Sequence, residues 1–221
     1  MLGTLSPLGH ATLLSLAALL PIVNPIGSAA MFLSLTEGDP TSVRRALARQ
    51  IGLNSFFLLV GSVLVGTYVL RLFGISIPAV QVGGGMVVLS TGWSMLNRKE
   101  IGPNAEGQAL AAADTSFSRA FYPLTMPVTV GPGSISVAIT LGANLQRGEF
   151  SAMMLVGHAL LTPVIVALLV FLCDRFAEPL ARRVGETGTS VIVRLSAFLL
   201  LCIGVQIIWN GLSGLLKGMP H

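Results

Sequence analysis

The chain has 221 residues, of which 53% are hydrophobic and only 10% are charged, and its mean hydropathy is +0.82. Ordinary soluble domains carry about 25% charged residues. The composition therefore excludes a soluble enzyme or nucleic-acid-binding domain and predicts an integral membrane protein. The formal net charge of +4 at pH 7 does not indicate a nucleic-acid partner, because the basic residues lie in short segments between apolar runs, where they orient a membrane protein.

Six apolar segments follow one another along the chain, and each reaches the roughly 20 residues that a membrane-spanning helix needs. They lie near residues 8–36, 46–70, 76–96, 119–144, 150–173 and 190–215. The first twenty residues contain no Lys or Arg, so we expect the first segment to remain as a span and not to be a cleaved signal peptide. Residues 98–118 are polar and are expected to form a cytoplasmic linker.

Related motifs interrupt the first and fourth apolar segments. Residues 21–28 align without a gap on residues 127–134, which places Pro21, Gly27 and Ser28 opposite Pro127, Gly133 and Ser134. Proline removes a backbone donor and glycine weakens a helix, so we expect both helices to break at these motifs. Interrupted segments at matching places in two halves point to the binding site of a transporter. Two kinks that only help the helices pack are the plainer alternative.

Weaker matches relate the other segments of the two halves, for example Asn54 in the second segment and His158 in the fifth. Each half then contains three spans, and because three is odd the second half must lie upside down relative to the first. We therefore predict an all-α integral membrane protein with six transmembrane helices. They form two inverted three-helix repeats, residues 1–97 and 119–221, in which helices 1 and 4 are broken.

The basic residues are distributed unevenly between the two ends of these spans. Ten of the thirteen fall on the side that carries the loops after spans one, three and five, namely Arg44, Arg45, Arg49, Arg98, Lys99, Arg119, Arg175, Arg182, Arg183 and Arg194. The positive-inside rule therefore predicts that both termini are extracytoplasmic. The same count favours a fourth segment that crosses the membrane, because a re-entrant hairpin would place the cluster Arg175–Arg183 outside.

The broken helices are expected to hold a substrate through their ends. A helix N-terminus presents free N–H groups and a partial positive charge, and a C-terminus presents free carbonyls, so opposed half-helices suit the carboxylate and ammonium groups of a zwitterion. No Asp, Glu, Lys or Arg lies in the middle of a span, which favours a neutral substrate because an unpaired buried charge is costly. The predicted substrate-binding residues are Asn24, Pro25, Gly27, Ser28, Thr129, Gly131, Pro132, Gly133 and Ser134.

Polar residues elsewhere in the spans have two interpretations. His158 is the only histidine inside a span. It either takes part in coupling transport to an ion, H⁺ or Na⁺, or is a neutral imidazole bonded to a neighbouring helix. Its counterpart Asn54 would extend a polar layer close to the breaks. Gln81, Gln206 and Asn210 are expected to form hydrogen bonds between helices.

The interrupted motifs resemble those of the MarC family. The resemblance rests on Asn24–Gly27 followed by Phe32–Thr36, and on Gly131–Ser136 in the second half, and it covers essentially the whole chain. That family consists of small six-span inner-membrane proteins of bacteria and archaea, placed near the LysE-type amino-acid exporters. The resemblance implies a transporter of small neutral amino acids in the inner membrane, although many members have no established substrate. The polar linker is longer than such compact proteins need.

Two other classes of function stay open. A channel or broad efflux protein for small apolar compounds would need no zwitterion site. An intramembrane serine hydrolase would need Ser134 as nucleophile with His158 as its base, but Ile135 stands where a glycine is expected after the serine. We expect no cofactor and no metal, since Cys173 and Cys202 are too few for a metal site. A homo-oligomer is left open.

Overall fold

The structure, a computed structural model, describes residues 7–97, 116–147 and 152–217, and all regular secondary structure in these ranges is helical. The helices are α1 (Pro7–Val23), α2 (Pro25–Leu35), α3 (Thr41–Leu72), α4 (Ile77–Asn97), α5 (Ser116–Arg119), α6 (Ala120–Thr129, a widened π-type helix), α7 (Pro132–Arg147), α8 (Ala152–Arg175) and α9 (Ala177–Lys217). Most of the predicted linker, residues 98–115, and both chain ends lie outside the described ranges.

Five segments in the described ranges are long and apolar enough to cross a membrane, and the bent pair α6–α7 makes a sixth candidate. Helices are the expected form, because hydrocarbon offers no partners to backbone groups and each segment must satisfy its own. The candidates are Leu8–Leu35, Thr41–Leu72, Ile77–Asn97, Ala120–Thr129 with Pro132–Leu145, Val156–Arg175 and Ser190–Lys217. They coincide with the six predicted segments, and the all-α membrane fold is confirmed.

The bent pair α6–α7 leads from one end of the molecule towards the other. Just before it, Arg119 forms a 3.0 Å ion pair with Asp39, which follows the end of the first span. After it, His158 of α8 contacts Thr12, near the start of the first span. That span is 28 residues long, roughly 40 Å at 1.5 Å per residue, so the two contacts lie far apart. The fourth segment therefore traverses the fold, and the orientation that the charge distribution indicates stays a prediction.

Helices α4 and α9 form the most extensive helix pair, and their backbones lie in close contact. A Cβ added to Gly85 would overlap the Gly204 carbonyl oxygen, and one added to Gly92 would overlap the carbonyl oxygen of Ala197. Helices approach this closely only where small residues face each other. Because α4 and α9 belong to different predicted repeats, the two halves pack into one body. The inverted symmetry between them, and their division at residues 98–118, stay predictions.

Most of the other helices share a separate apolar core. Leu19 of α1, Ile51 of α3 and Val166 of α8 are buried within it, as is Val130, which lies between α6 and α7. A smaller apolar cluster joins this body to the α4–α9 pair. Its members are Val88, Leu200 and Ile207, with Ile22, Met95, Val137 and Ile203 packed against them. The two helix breaks lie beside this smaller cluster.

Candidate functional site

The first break is one residue wide and centres on Asn24. This residue takes a left-handed conformation (φ 46°, ψ 64°), which asparagine tolerates better than most residues. Its N–H donates to the Leu20 carbonyl oxygen (2.8 Å) and its own carbonyl oxygen accepts from the Ser28 N–H (2.9 Å). The side-chain Oδ1 accepts from the Gly27 N–H (3.2 Å). The chain therefore caps α2 with its own groups, and α1 and α2 continue as one span.

The second break is wider and bends the chain by 69° between α6 and α7. Pro123 and Pro127 lie inside α6 and cannot donate backbone hydrogen bonds. The helix is widened there: the Val130 N–H donates to the carbonyl oxygen of Thr125, five residues earlier (2.8 Å), and the Thr129 hydroxyl donates to a carbonyl oxygen of α6 (2.8 Å). Both motifs thus interrupt their helices, as predicted.

Helix α7 begins with backbone donors that no helical bond uses. Pro132 is its first residue, and the first bond runs from the Ile135 N–H to the Gly131 carbonyl oxygen (3.1 Å). The N–H groups of Gly133 and Ser134 precede that bond and have no acceptor within the helix, and no side chain in the described ranges accepts from them. They carry the partial positive charge of a helix N-terminus.

The two breaks line one cavity of about 130 Å³. All but one of the nine predicted substrate-binding residues line it: Asn24, Gly27, Ser28, Thr129, Gly131, Pro132, Gly133 and Ser134. The exception is Pro25, which occupies the first position of α2 and is not among the lining residues. Ile22 and Val23, at the end of α1, also face the cavity. None of the described residues around it is ionisable, so its electrostatic character comes from backbone and hydroxyl groups.

A further wall of the cavity comes from residues that the sequence analysis did not select. They are Val87, Val88, Thr91 and Met95 of α4, Met31 of α2 and Leu200 of α9. The α4 residues recur at the spacing of one helix face. The sequence shows that spacing, but any buried helix face shares it, so it does not single out a cavity.

The glycines at the two breaks have different neighbours. A Cβ on Gly133 would overlap the side chain of Val88, so this glycine lets α7 approach α4. A Cβ on Gly27 would overlap the amide of Asn24, so this glycine makes room for the cap of its own helix. Of these two glycines, only Gly133 lies at a contact between two helices beside the cavity.

The serines at the two breaks also differ. The Ser28 hydroxyl donates to the Pro25 carbonyl oxygen (3.2 Å) within α2. Ser134 is 2% exposed and lines the cavity, and its hydroxyl forms no hydrogen bond with the residues that the structure describes. The second break therefore presents a hydroxyl together with two backbone donors.

Comparisons with known proteins identify the family of this chain. A family model described as MarC family integral membrane protein matches residues 9–216. The chain belongs to the MarC family. It is 34% identical over 209 residues to the inner membrane protein MarC of Escherichia coli O1:K1, and 32% identical to those of Salmonella typhimurium and Citrobacter koseri. Each alignment covers 92% of this chain and 95% of the relative. No solved structure matches the chain.

In this MarC-family protein, His158 lies away from the cavity and bonds to α1. Its Nδ1 is 3.3 Å from the Thr12 hydroxyl and its Nε2 is 3.0 Å from the Ser15 hydroxyl, with the ring almost fully buried. Both ring nitrogens therefore have partners on a neighbouring helix, which is the arrangement expected of an interhelical bond. His158 is not bonded to Ser134, so the structure gives no support to a hydrolase dyad. A coupling role for His158 stays a prediction.

Asn54 and Gln81 both bond to other helices in this MarC-family protein, and the bond of Gln81 is one that the sequence predicts. Asn54 donates through Nδ2 to the Thr125 hydroxyl of α6 (3.3 Å), which joins α3 to the helix that precedes the second break. Gln81 donates through Nε2 to the Thr140 hydroxyl of α7 (3.4 Å). Asn54 does not line the break cavity, so any coupling role would act through α6.

The prediction that Gln206 forms a hydrogen bond to another helix is wrong. Its Nε2 donates to Oδ1 of Asn210 (2.9 Å), which lies in the same helix, because residues four apart are neighbours on a helix surface.

A buried carboxyl, Asp174, was not predicted from the sequence. It follows the predicted fifth segment, residues 150–173, but α8 continues to Arg175, and both oxygens of Asp174 are buried without a hydrogen-bond partner among the described residues. The described residues hold no group of three metal-ligating side chains.

Proposed function

We propose that the protein is a secondary transporter of small neutral amino acids, with the substrate held between the two helix breaks. One observation carries the proposal: the ends of four half-helices meet at one small cavity that no ionisable side chain lines. A zwitterion without a charged side chain is the ligand that such a cavity suits, because helix ends offer both backbone donors and backbone acceptors.

The two charged groups of the substrate would bind at different breaks. The carboxylate fits the N-terminus of α7, where the Gly133 and Ser134 N–H groups and the Ser134 hydroxyl are unused. The ammonium group fits the C-terminus of α1, where Ile22 and Val23 line the cavity.

The remaining wall would select the side chain of the substrate. Met31, Val87, Val88, Met95 and Leu200 are apolar, and the Thr91 hydroxyl donates to the Val87 carbonyl oxygen of its own helix (2.9 Å). At about 130 Å³ the cavity is well below the roughly 300–1,000 Å³ of pockets that take drug-sized molecules. This size argues against the broad efflux alternative. A lysine or glutamate side chain would have to be buried here without a counter-charge, which is costly.

Radiolabelled alanine uptake into proteoliposomes tests the proposal, with protein-free liposomes as the control. Uptake should saturate, and glycine and serine should compete for it while lysine and glutamate should not. Imposed H⁺ and Na⁺ gradients, run in separate vesicles, identify a coupling ion. Uptake that rises linearly with concentration and meets no competition would indicate a channel, and labelling of Ser134 by a covalent serine probe would indicate a hydrolase. Either outcome overturns the proposal.

A further inference from the structure

A second cavity of about 310 Å³ lies on the other side of the breaks. It reaches Gln81, four residues after the start of α4, and Asn210, near the end of α9. The break cavity instead reaches Met95, near the end of α4, and Met31, near the end of α2. The second cavity therefore lies towards the side of the molecule on which α1 begins and α9 ends, here called the terminal side.

Polar side chains from three helices converge on the second cavity. Gln81 of α4, Thr140 of α7, and Gln206 and Asn210 of α9 line it. The bonds from Gln81 to Thr140 and from Gln206 to Asn210 each use one of the two hydrogens of a donor amide. The amide groups that remain would be costly to leave in hydrocarbon. Their arrangement around a concave space favours contact with water.

Apolar side chains lie where the two cavities adjoin. Ile22 of α1 lines both of them. It packs with Val137 of α7 and Ile203 of α9 against the small apolar cluster that includes Leu200. Leu200 lines the break cavity, whereas Val137 and Ile203 line the second one. Apolar constrictions of this kind exclude water and act as gates.

We propose that the second cavity is the terminal-side chamber of the transport path, which admits water and small neutral polar solutes. Ile22, Val137 and Ile203 form the gate that closes it from the break cavity. The gate residues come from α1 and α7 on one side and from α9 on the other, so a small movement of the α4–α9 pair opens it. The passage of solute rests on the proposed function, but the access of water to the chamber does not.

Thiol labelling tests the chamber without any substrate. In protein whose native Cys173 and Cys202 are replaced by alanine, Gln206→Cys is compared with Val205→Cys, the adjacent exposed residue that lines neither cavity. A thiol reacts as the hydrated thiolate. A membrane-impermeant maleimide added from the terminal side should therefore label Gln206→Cys on the order of tenfold faster than Val205→Cys. Equal, slow labelling of the two variants would overturn the chamber, as would a disulfide between two chains through Gln206→Cys.

The gate is tested in the same background with Thr91→Cys, in the break cavity, as the reporter. Terminal-side maleimide should leave this thiol unlabelled in the parent protein and label it once Ile203→Ala is added. Leu199→Ala, at an exposed neighbouring position of α9, is the matched control and should not open the path. Labelling that is unaffected by Ile203→Ala, in a protein that elutes as a single folded species, overturns the gate. If amino-acid uptake fails while both labelling patterns hold, only the proposed substrate is wrong.

Discussion

The two helix breaks occupy the same position of the aligned motifs, yet they satisfy their backbone groups differently. At the first break, Asn24 turns into a left-handed conformation and its side chain caps the Gly27 N–H. The aligned position of the second break is Val130, whose side chain is fully buried in the apolar core. It offers no acceptor, and the N–H groups at the start of α7 stay open.

This difference shows that a repeated motif need not produce two equivalent binding half-sites. One residue in the aligned motifs decides whether the helix N-terminus is closed by its own chain or left to a ligand. The first break behaves as a capped turn within a nearly continuous span, and the second as a bent opening with unused donors. The comparison assigns the substrate carboxylate to the second break and makes four predictions.

The largest effect is expected from Gly133→Val. Its side chain would overlap Val88 and fill the space at the start of α7, so amino-acid binding should weaken by more than about tenfold, or 1.4 kcal/mol. Substrate-induced thermal stabilisation of the purified protein measures this. Gly83→Val is the matched control, because a Cβ there meets open space. The paired change Gly133→Ala with Val88→Ala relieves the overlap if the valine variant does not fold. A folded Gly133→Val protein with full stabilisation would place the site elsewhere.

Asn24→Ala should reduce stability more than it reduces affinity. The change removes a helix cap, which costs about 1–2 kcal/mol, and places alanine in a left-handed conformation. Thermal unfolding of the apo protein measures the loss, and the substrate-induced shift should be retained. Asn24→Gly keeps the backbone freedom, so its smaller loss isolates the contribution of the amide. Loss of the substrate-induced shift in both variants would show that the Asn24 amide binds the ligand and that the first break is not closed.

The serines provide the next contrast. Ser134→Ala removes a hydroxyl that is free at the cavity, and affinity should fall by about 1 kcal/mol, roughly fivefold. Ser28→Ala removes a hydroxyl already bonded to Pro25, and affinity should stay within about twofold. Titration of substrate against each variant measures both values. Equal losses would contradict the assigned difference between the breaks.

The smallest effect is expected from Thr129→Val. The Thr129 hydroxyl donates to the Leu124 carbonyl oxygen inside α6, so the near-isosteric change should lower stability by about 1 kcal/mol or less and leave affinity unchanged. The same titration and unfolding measurements apply. A fall in affinity as large as that of Ser134→Ala would return Thr129 to the list of direct contacts.

The sequence predicts the fold well because each span carries its own signal. Apolar length marks the spans, and proline and glycine mark the breaks, so Pro21–Ser28 and Pro127–Ser134 identify the two motifs that meet at the cavity. The difference between Asn24 and Val130 is visible in the sequence, but the left-handed turn that brings the Asn24 amide to the Gly27 N–H is seen only in the structure. Thr91 and Met95 of α4 could not be selected either, since their spacing is that of any packed helix face.

Other expectations depended on which neighbours the fold supplies. His158 could bond to a helix or serve in coupling, and only the position of Thr12 and Ser15 reveals the bonds to α1. Gln206 was expected to reach another helix, but Asn210 one turn away is nearer. The spacing of Gln206 and Asn210 in the sequence is enough to suggest a bond within α9. The contacts of His158 with another helix are known only from the packed structure.

The glycine-rich contact between α4 and α9 has a consequence for biosynthesis. α4 is made in the first half of the chain, while its main partner α9 is made last. α4 is also the least hydrophobic of the five unbent candidate spans, and its face at Gly85 and Gly92 exposes backbone until α9 arrives. During insertion the third span must therefore wait in the translocation machinery or the bilayer for a late partner. In chains truncated before residue 190, the third span should be held poorly in the membrane. The last span therefore completes the membrane integration of the third.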